Sequence, residues 1–159
     1  MIALGSPNDI ARALMAYLDA CSHAGEPFEW RDRNCCHFAA GWVRQMTGRD
    51  VLAGLPATPD ARAALCLVRR LGGGLAEAWT RQLGVDPVLP LFARVGDVVL
   101  LPAAPEIGGL GAAVGVCAGR TVVCIDALGN CQHVPLAHAL RCWHLGDVPR
   151  QDVAMQVAA

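Results

Sequence analysis

The apolar residues of this 159-residue chain change their spacing near Pro87. Before that point they recur every three or four residues, as on one face of an α-helix. After it, short apolar runs are bounded by Gly, Pro, Asp or Asn, which is typical of β-strands. Helices followed by strands indicate an α+β fold, with N-terminal helices packed on a C-terminal antiparallel β-sheet, rather than a doubly wound parallel sheet.

Four helices and five strands are predicted from this spacing. The helices are expected from Asn8 or Asp9 to about Gly25, from a cap at Asn34 to Gly48, from about Asp60 to Leu71, and from Leu75 to Leu83. The strands are expected at Val98 to Leu101, Ala113 to Cys117, Thr121 to Ile125, Cys131 to Val134 and Arg141 to Leu145. Residues 1–148 are expected to form a single domain, and 149–159 a loosely attached tail.

The charge and hydropathy of the chain exclude some classes of binding partner. The chain has 13 Arg, no Lys and 14 acidic residues, so its formal net charge is −1 and it lacks a basic run for a phosphate backbone. We therefore expect no nucleic-acid partner. The most apolar window, Ile107 to Gly119, is shorter than the about 20 residues of a membrane span. The N-terminal sequence does not resemble a secretory signal, so synthesis in the cytoplasm is expected.

Eight cysteines are distributed along the chain, at positions 21, 35, 36, 66, 117, 124, 131 and 142. They form no CxxC motif, and the seven-residue separations among Cys117, Cys124 and Cys131 match no common zinc spacing. Most lie in apolar segments, where a free cysteine behaves as a small hydrophobic residue. We therefore predict buried thiols, with no metal and no cofactor.

The sequence Asn34-Cys35-Cys36-His37-Phe38 opens the second, buried helix. Free N–H groups and the positive end of the helix dipole stabilise a thiolate at such a position. Because the thiolate is the attacking species of nucleophilic cysteines, this placement makes Cys35 a candidate nucleophile with a lowered pKa. The alternative is that Cys35 and Cys36 are only small residues at a crowded helix start.

This segment resembles the catalytic helix start of the NlpC-type papain-like cysteine peptidases, which cleave peptidoglycan stem peptides. Phe28 and Trp30 match an aromatic turn before the helix, and Cys35 falls on the nucleophile. Downstream, Arg94 to Leu100 is similar to the Gly-Asp strand of that family, and Ala113 to Gly119 is similar to its next strand. The resemblance is closest to a subgroup found in phage and prophage tail gene clusters. It implies a papain-like fold and a place among tail proteins.

The chain departs from that family at the general base. Ala113 stands where the family has its histidine, which leaves the alignment without a catalytic dyad. His133, on a neighbouring predicted strand, is a candidate substitute base, and Asp126 is a candidate residue to orient it. His37 is expected on a different side of the helix from Cys35. Asp97 is expected to accept backbone hydrogen bonds in a turn rather than to act as an acid.

Three functions follow from these residues. The favoured one is a tail-tip or baseplate hub component of a phage or prophage virion, with other tail proteins as partners and a degenerate peptidase site. The second is an active cysteine amidase or endopeptidase that cleaves peptidoglycan stem peptides through Cys35. The third is a cytosolic thiol or redox protein in which Cys35 and Cys36 form a reversible disulfide. For an assembly component, the apolar segments Val153 to Ala159 and Ile107 to Gly111 are expected to contact neighbours.

Overall fold

A computed structural model of the chain describes residues 5–22, 26–102 and 111–151. Within these ranges there are four α-helices: α1 (Pro7–Ser22), α2 (Cys35–Thr47), α3 (Ala61–Leu71) and α4 (Leu75–Leu83). They precede five strands: β1 (Val98–Pro102), β2 (Ala112–Cys117), β3 (Thr121–Ile125), β4 (Cys131–Pro135) and β5 (Arg141–Trp143). The strands form one antiparallel sheet in the order β4-β3-β2-β1-β5. The predicted α+β class is confirmed.

In the part of the chain that is described, no helix has the length and hydropathy that crossing a bilayer requires. The segment Val153 to Ala159 and most of the segment Ile107 to Gly111, both expected to contact neighbours, lie outside the described residues.

Helix α1 begins at Pro7, earlier than the predicted cap at Asn8 or Asp9. The Ser6 N–H and hydroxyl donate to Asp9 Oδ2 at 2.9 and 2.8 Å, and the Asp9 N–H approaches Ser6 Oγ at 3.4 Å. This reciprocal arrangement satisfies the first turn, and proline is well suited to the first helical position. The cap prediction was therefore wrong, because Asp9 acts from within the first turn and Ser6 precedes the helix.

Helix α2 is the buried centre of the fold. Seven of its residues are buried, and Trp42 and Val43 are completely inaccessible to solvent. The Trp42 indole N–H donates to the Gly96 carbonyl at 2.8 Å, which ties the helix to the start of the sheet. On its other side, Tyr17 of α1 donates to the Phe38 carbonyl at 2.6 Å. A Cβ at Gly41 would lie 2.6 Å from the Tyr17 hydroxyl, so glycine lets α1 approach α2 this closely.

The two faces of the sheet carry different cores. The face toward α2 contributes mainly Val and Ile side chains and Trp143 to the larger cluster, which includes Val98, Leu100, Val114, Val116, Val123, Ile125 and Trp143. The opposite face carries a smaller cluster that includes Val99, Leu101, Cys117, Val122, Cys124 and Cys142. Buried strands with apolar side chains on both faces explain why the sequence shows continuous apolar runs here rather than strict alternation.

Asp97 joins β1 to the segment after β5. Its carboxylate accepts hydrogen bonds from the backbone N–H groups of Arg94, at 2.8 Å, and Leu145, at 2.9 Å. It also lies 2.8 Å from Nδ1 of His144. The predicted role of Asp97 as an acceptor for backbone groups is confirmed. Because Leu145 is held in this way and begins a short 3₁₀ turn, β5 ends at Trp143 rather than at Leu145.

Candidate active site

The segment that leads into α2 is held by Arg33. Glu29 and Arg33 pair through their backbones, with N···O distances of 2.8 and 3.0 Å. The Arg33 guanidinium donates to the carbonyls of Glu26 and Gly129, both at 2.9 Å, and to that of Cys21 at 3.4 Å. One side chain thus connects the end of α1, the turn before α2 and the turn between β3 and β4. This fixes the direction from which the chain enters the helix.

Asn34 caps α2, as predicted from the sequence. Its backbone is extended, with φ −151° and ψ 177°, and its Oδ1 accepts from the N–H of His37 at 3.0 Å. Its Nδ2 donates to the carbonyls of Glu29 and Trp30 at 3.1 and 2.9 Å, which fixes the orientation of the amide. Asn34 therefore locks the preceding turn and the first turn of α2 into one unit.

The same amide determines the tautomer of His37. Nδ1 of His37 lies 3.0 Å from Asn34 Oδ1, which can only accept. Neutral His37 therefore carries its proton on Nδ1, and Nε2 is the acceptor. Burial lowers the pKa of His37, against the opposing effect of the carboxylates of Asp32 and Asp50. At neutral pH the ring is uncharged.

Cys35 is the first residue of α2, and its surroundings favour the thiolate. The strongest influence lowering the pKa of Cys35 is a hydrogen bond from the Cys36 thiol. Backbone N–H groups of Val114, Cys36 and Cys35 itself lower the pKa further, while burial opposes them. Two of these N–H groups belong to the helix start, where they have no partner within the helix. The predicted lowered pKa therefore has a clear structural cause.

The third N–H comes from the sheet. Strand β2 pairs with β1 from Ala112 to Val116 but with β3 only at Val116↔Val123 and Cys117↔Val122. Val114 lies outside the pairing with β3, and its backbone N–H contributes to lowering the pKa of Cys35. A Cβ at Gly115 would lie 2.5 Å from the Val123 carbonyl oxygen, so a glycine is needed where the two strands converge. The end of the sheet thus supplies a donor that helix geometry alone does not provide.

Cys36 is the protonated member of the pair. Its pKa is raised well above the ordinary value, first by its hydrogen bond to Cys35, then by burial and by the negative charge on Cys35. The side chain of Trp79 on α4 also hydrogen-bonds Cys36, and this lowers the pKa of Cys36. Since the indole can only donate, the chain of donors runs from Trp79 to Cys36 to Cys35. Sequence analysis missed Trp79, which shows only the apolar spacing of a core residue.

Cys35 opens onto a cavity of about 360 Å³ between the helices and the end of the sheet. Its walls come from the turn before α2, the segment 51–58, helices α3 and α4, and strands β1 to β4. Ala113 lines this cavity, at the position where the resemblance expects the histidine. Cys124 also lines it, and its pKa is raised to about 11 by burial and by the nearby Cys35 charge.

The structure does not bring His133 to this cavity. The cavity is lined by Gln132 and Val134, the residues on either side of His133. Successive side chains of a strand point to opposite faces, so His133 points away from the face that Gln132 and Val134 share. His133 is exposed, and its Nδ1 lies 3.3 Å from Thr121 Oγ1. The suggested pairing of His133 with Cys35 therefore has no support in the geometry, because His133 lies exposed on the edge strand β4, opposite Val123, and does not line the cavity.

Asp126 and His37 do line the cavity. Oδ1 of Asp126 accepts from the N–H groups of Leu128 and Asn130, both at 2.9 Å, so this carboxylate shapes the β3–β4 turn. His37 shares the cavity with Cys35 although a different side of the helix was expected. Its described hydrogen bonds go to Asn34 rather than to the thiol.

A second group of polar side chains lies at the opposite end of β1. Asp97, Cys142 and His144 place one potential metal-ligand atom each within 4.8 Å of one another. Each of these atoms is engaged within the protein, since the Asp97 carboxylate binds His144 and two backbone N–H groups and the Cys142 thiol points to the Leu89 carbonyl at 3.6 Å. This group is a structural junction between β1, β5 and the segment before β1.

Fold and site together define an α+β domain with a cysteine of lowered pKa at the start of its central helix, facing a cavity. The chain belongs to the family described as a domain of unknown function (DUF6950), which matches residues 7–145. The match covers all four helices and all five strands of the described residues. No curated protein matches the chain.

Proposed function

We propose that this chain is a papain-like cysteine domain of the NlpC type, with Cys35 as its nucleophile and a degenerate site that does not turn over peptide bonds. The observation that carries the proposal is the place of Cys35 at the start of α2 in a cavity that Ala113 also lines, where the Cys36 thiol and three backbone N–H groups lower the pKa of Cys35. The N-terminal helix on an antiparallel sheet and the order of the elements are in keeping with this fold.

The proposed loss of peptidase activity follows from the leaving group. An amide nitrogen must receive a proton as it departs, and a positioned acid–base residue contributes about 10²–10⁴-fold to such reactions. Ala113 has no proton to give, and His133 does not line the cavity. The thiol of Cys36 is the nearest acid to Cys35, but its raised pKa makes it a poor proton donor.

We also propose that the domain works within a phage or prophage tail tip. The resemblance supports this setting, as does an apolar surface on neighbouring segments of the described residues. Leu89, Leu91, Phe92 and Leu140 are 43–86% exposed. The 3₁₀ turn that contains Leu91 packs near β5, which follows Leu140, so these side chains lie in one region. Apolar patches of this kind mark protein contacts more often than isolated side chains do.

The test of the site is a pair of substitutions at Ala113. Ala113→His places an imidazole where the proposed fold needs its base, and Ala113→Gln is a control of similar size without one. We expect the histidine variant alone to hydrolyse a peptide p-nitroanilide library at a measurable rate, and to lose that activity when Cys35→Ala is added. If the unmodified chain already releases peptides from purified cell walls in a Cys35-dependent manner, the site is not degenerate and the active-peptidase alternative is correct.

A further inference from the structure

We propose that the cavity beside Cys35 binds an apolar acyl chain, and that Cys35 accepts this acyl group from a thioester. This inference rests on the proposed function only in requiring Cys35 to be a nucleophilic thiolate. It goes further by naming the substrate class and the part of the fold that selects it.

The lining of the cavity is the first argument. Helix α3 places Ala64, Leu67, Val68 and Leu71 along it, at the i, i+3, i+4, i+7 spacing of one helical face. Only Ala64 of these is buried, so this apolar face is only partly covered by the protein itself. A volume of about 360 Å³ falls within the roughly 300–1,000 Å³ of small-molecule sites.

The charges of the lining are the second argument. Arg31 and Asp126 are the charged side chains among the described residues that line the cavity, apart from the Cys35 thiolate. A peptidoglycan stem peptide carries several carboxylates, and one arginine offset by one aspartate and a thiolate gives them little compensation. Desolvating unpaired carboxylates beside these apolar walls would be costly. An uncharged acyl chain has no such cost and gains from each methylene that it buries.

The chemistry of the site is the third argument. The Cys35 sulfur attacks the carbonyl carbon of the donor, a new C–S bond forms, and the C–S bond of the donor breaks with its electron pair leaving on the donor sulfur. The products are acylated Cys35 and a free thiolate, so charge and protons balance without a base. A leaving thiol has a pKa of about 8.5 and departs unprotonated, unlike an amine. A thiolate without an acid–base partner is therefore suited to thioesters.

The N–H groups around Cys35 assist this step in a defined way. They hold the sulfur before reaction, and acylation removes its negative charge while charge develops on the neighbouring carbonyl oxygen. The backbone N–H groups next to the sulfur could then donate to that carbonyl oxygen with little rearrangement, as the donors of an oxyanion hole do. The donor from Val114 belongs to strand β2 rather than to the helix that carries Cys35.

The experiment uses the full chain with octanoyl and acetyl thioesters of N-acetylcysteamine at equal concentrations, followed by intact mass spectrometry and peptide mapping. We expect one octanoyl group on Cys35, removable by hydroxylamine, absent in Cys35→Ala, and formed about tenfold or more faster than acetylation. Burial of only two of the six additional methylenes would account for that ratio. Leu67→Trp should reduce the octanoyl preference by filling the cavity. Arg70→Trp, on the exposed face of the same helix, should preserve it.

Iodoacetamide labelling of the same sample separates the two proposals. Fast labelling of Cys35 without acylation by either thioester overturns the acyl-transfer inference and leaves the nucleophile in place. Equal acetyl and octanoyl rates overturn the assignment of the cavity to an apolar chain. Slow labelling of Cys35, no faster than that of the exposed Cys66, overturns the proposed function itself.

Discussion

Removing the cap of α2 should destabilise the protein more than removing the cap of α3. Asn34→Ala deletes the acceptor for the His37 N–H and for the His37 Nδ1–H, together with two donations, to the carbonyls of Glu29 and Trp30. Asp60→Ala is the matched control, because Asp60 caps α3 through one hydrogen bond to the Ala63 N–H, at 2.8 Å, on an exposed surface. The two variants therefore differ in the number of bonds lost.

The magnitudes follow from that difference. Loss of an N-cap costs about 1 kcal/mol of unfolding free energy, which is the whole expected effect of Asp60→Ala. Asn34→Ala also removes three further hydrogen bonds of about 1 kcal/mol each from a buried residue, so its total loss is about 4 kcal/mol. Domains of this size unfold with about 5–15 kcal/mol, so both variants should remain folded.

Urea denaturation followed by circular dichroism measures both losses under identical conditions. Equal losses for the two variants would refute the argument that Asn34 joins the preceding turn to the helix. Iodoacetamide labelling provides a second readout, since Asn34→Ala loosens the helix start and should slow labelling of Cys35. Asp60→Ala should leave that rate unchanged.

Three other substitutions test the fold and the site. Asp97→Asn should lower the unfolding free energy by about 1–3 kcal/mol, because an amide has one oxygen and cannot accept both the Arg94 and the Leu145 N–H as the carboxylate does. The control Asp86→Asn, at an exposed position, should change the unfolding free energy by no more than about 0.5 kcal/mol in the same denaturation experiment. Gly115→Ala should cost about 1–3 kcal/mol through contact with a β3 carbonyl, whereas Gly146→Ala meets open space and should be neutral by denaturation. Burial lowers the pKa of His37, so folding favours the neutral ring. The stability that this ring contributes is present at pH values above its ordinary pKa of 6.5 and is lost as the pH falls below 6.5. His37→Gln should therefore reduce the fall in melting temperature between pH 7.5 and pH 5.5.

Predictability from the sequence differed between local and long-range features. The bounds of α4 were predicted correctly because Gly74 and Gly84 flank it, and neither glycine favours the helix interior. The start of α1 was predicted wrongly because Ser6, Asn8 and Asp9 are all good capping residues. Pro7 favours the first position of a helix, so it could have indicated that the helix begins at Pro7 and that Ser6 is the cap.

The candidate site shows the same division. The thiolate at Cys35 was predictable because helix starts carry free N–H groups whatever the tertiary structure. The donors from Val114 and Trp79 were not, because they lie 79 and 43 positions away from the cysteines that they contact. The position of His133 relative to the cavity was not predictable, because it depends on how far the edge strand β4 lies from the start of α2 and not only on alternation along the strand.

The nucleophile and the acid–base function of this site depend on different parts of the molecule. The Cys35 thiolate is stabilised by a neighbouring thiol and by backbone N–H groups, none of which involves the side chain at position 113. An alanine at position 113 therefore supplies no proton transfer and leaves the surroundings of the Cys35 sulfur intact. What such a site can react with is then set by how readily the leaving group departs without a proton. Under the functions proposed here, thioesters and alkylating agents should react with Cys35, and Ala113→His is the substitution expected to extend its reactions to amides.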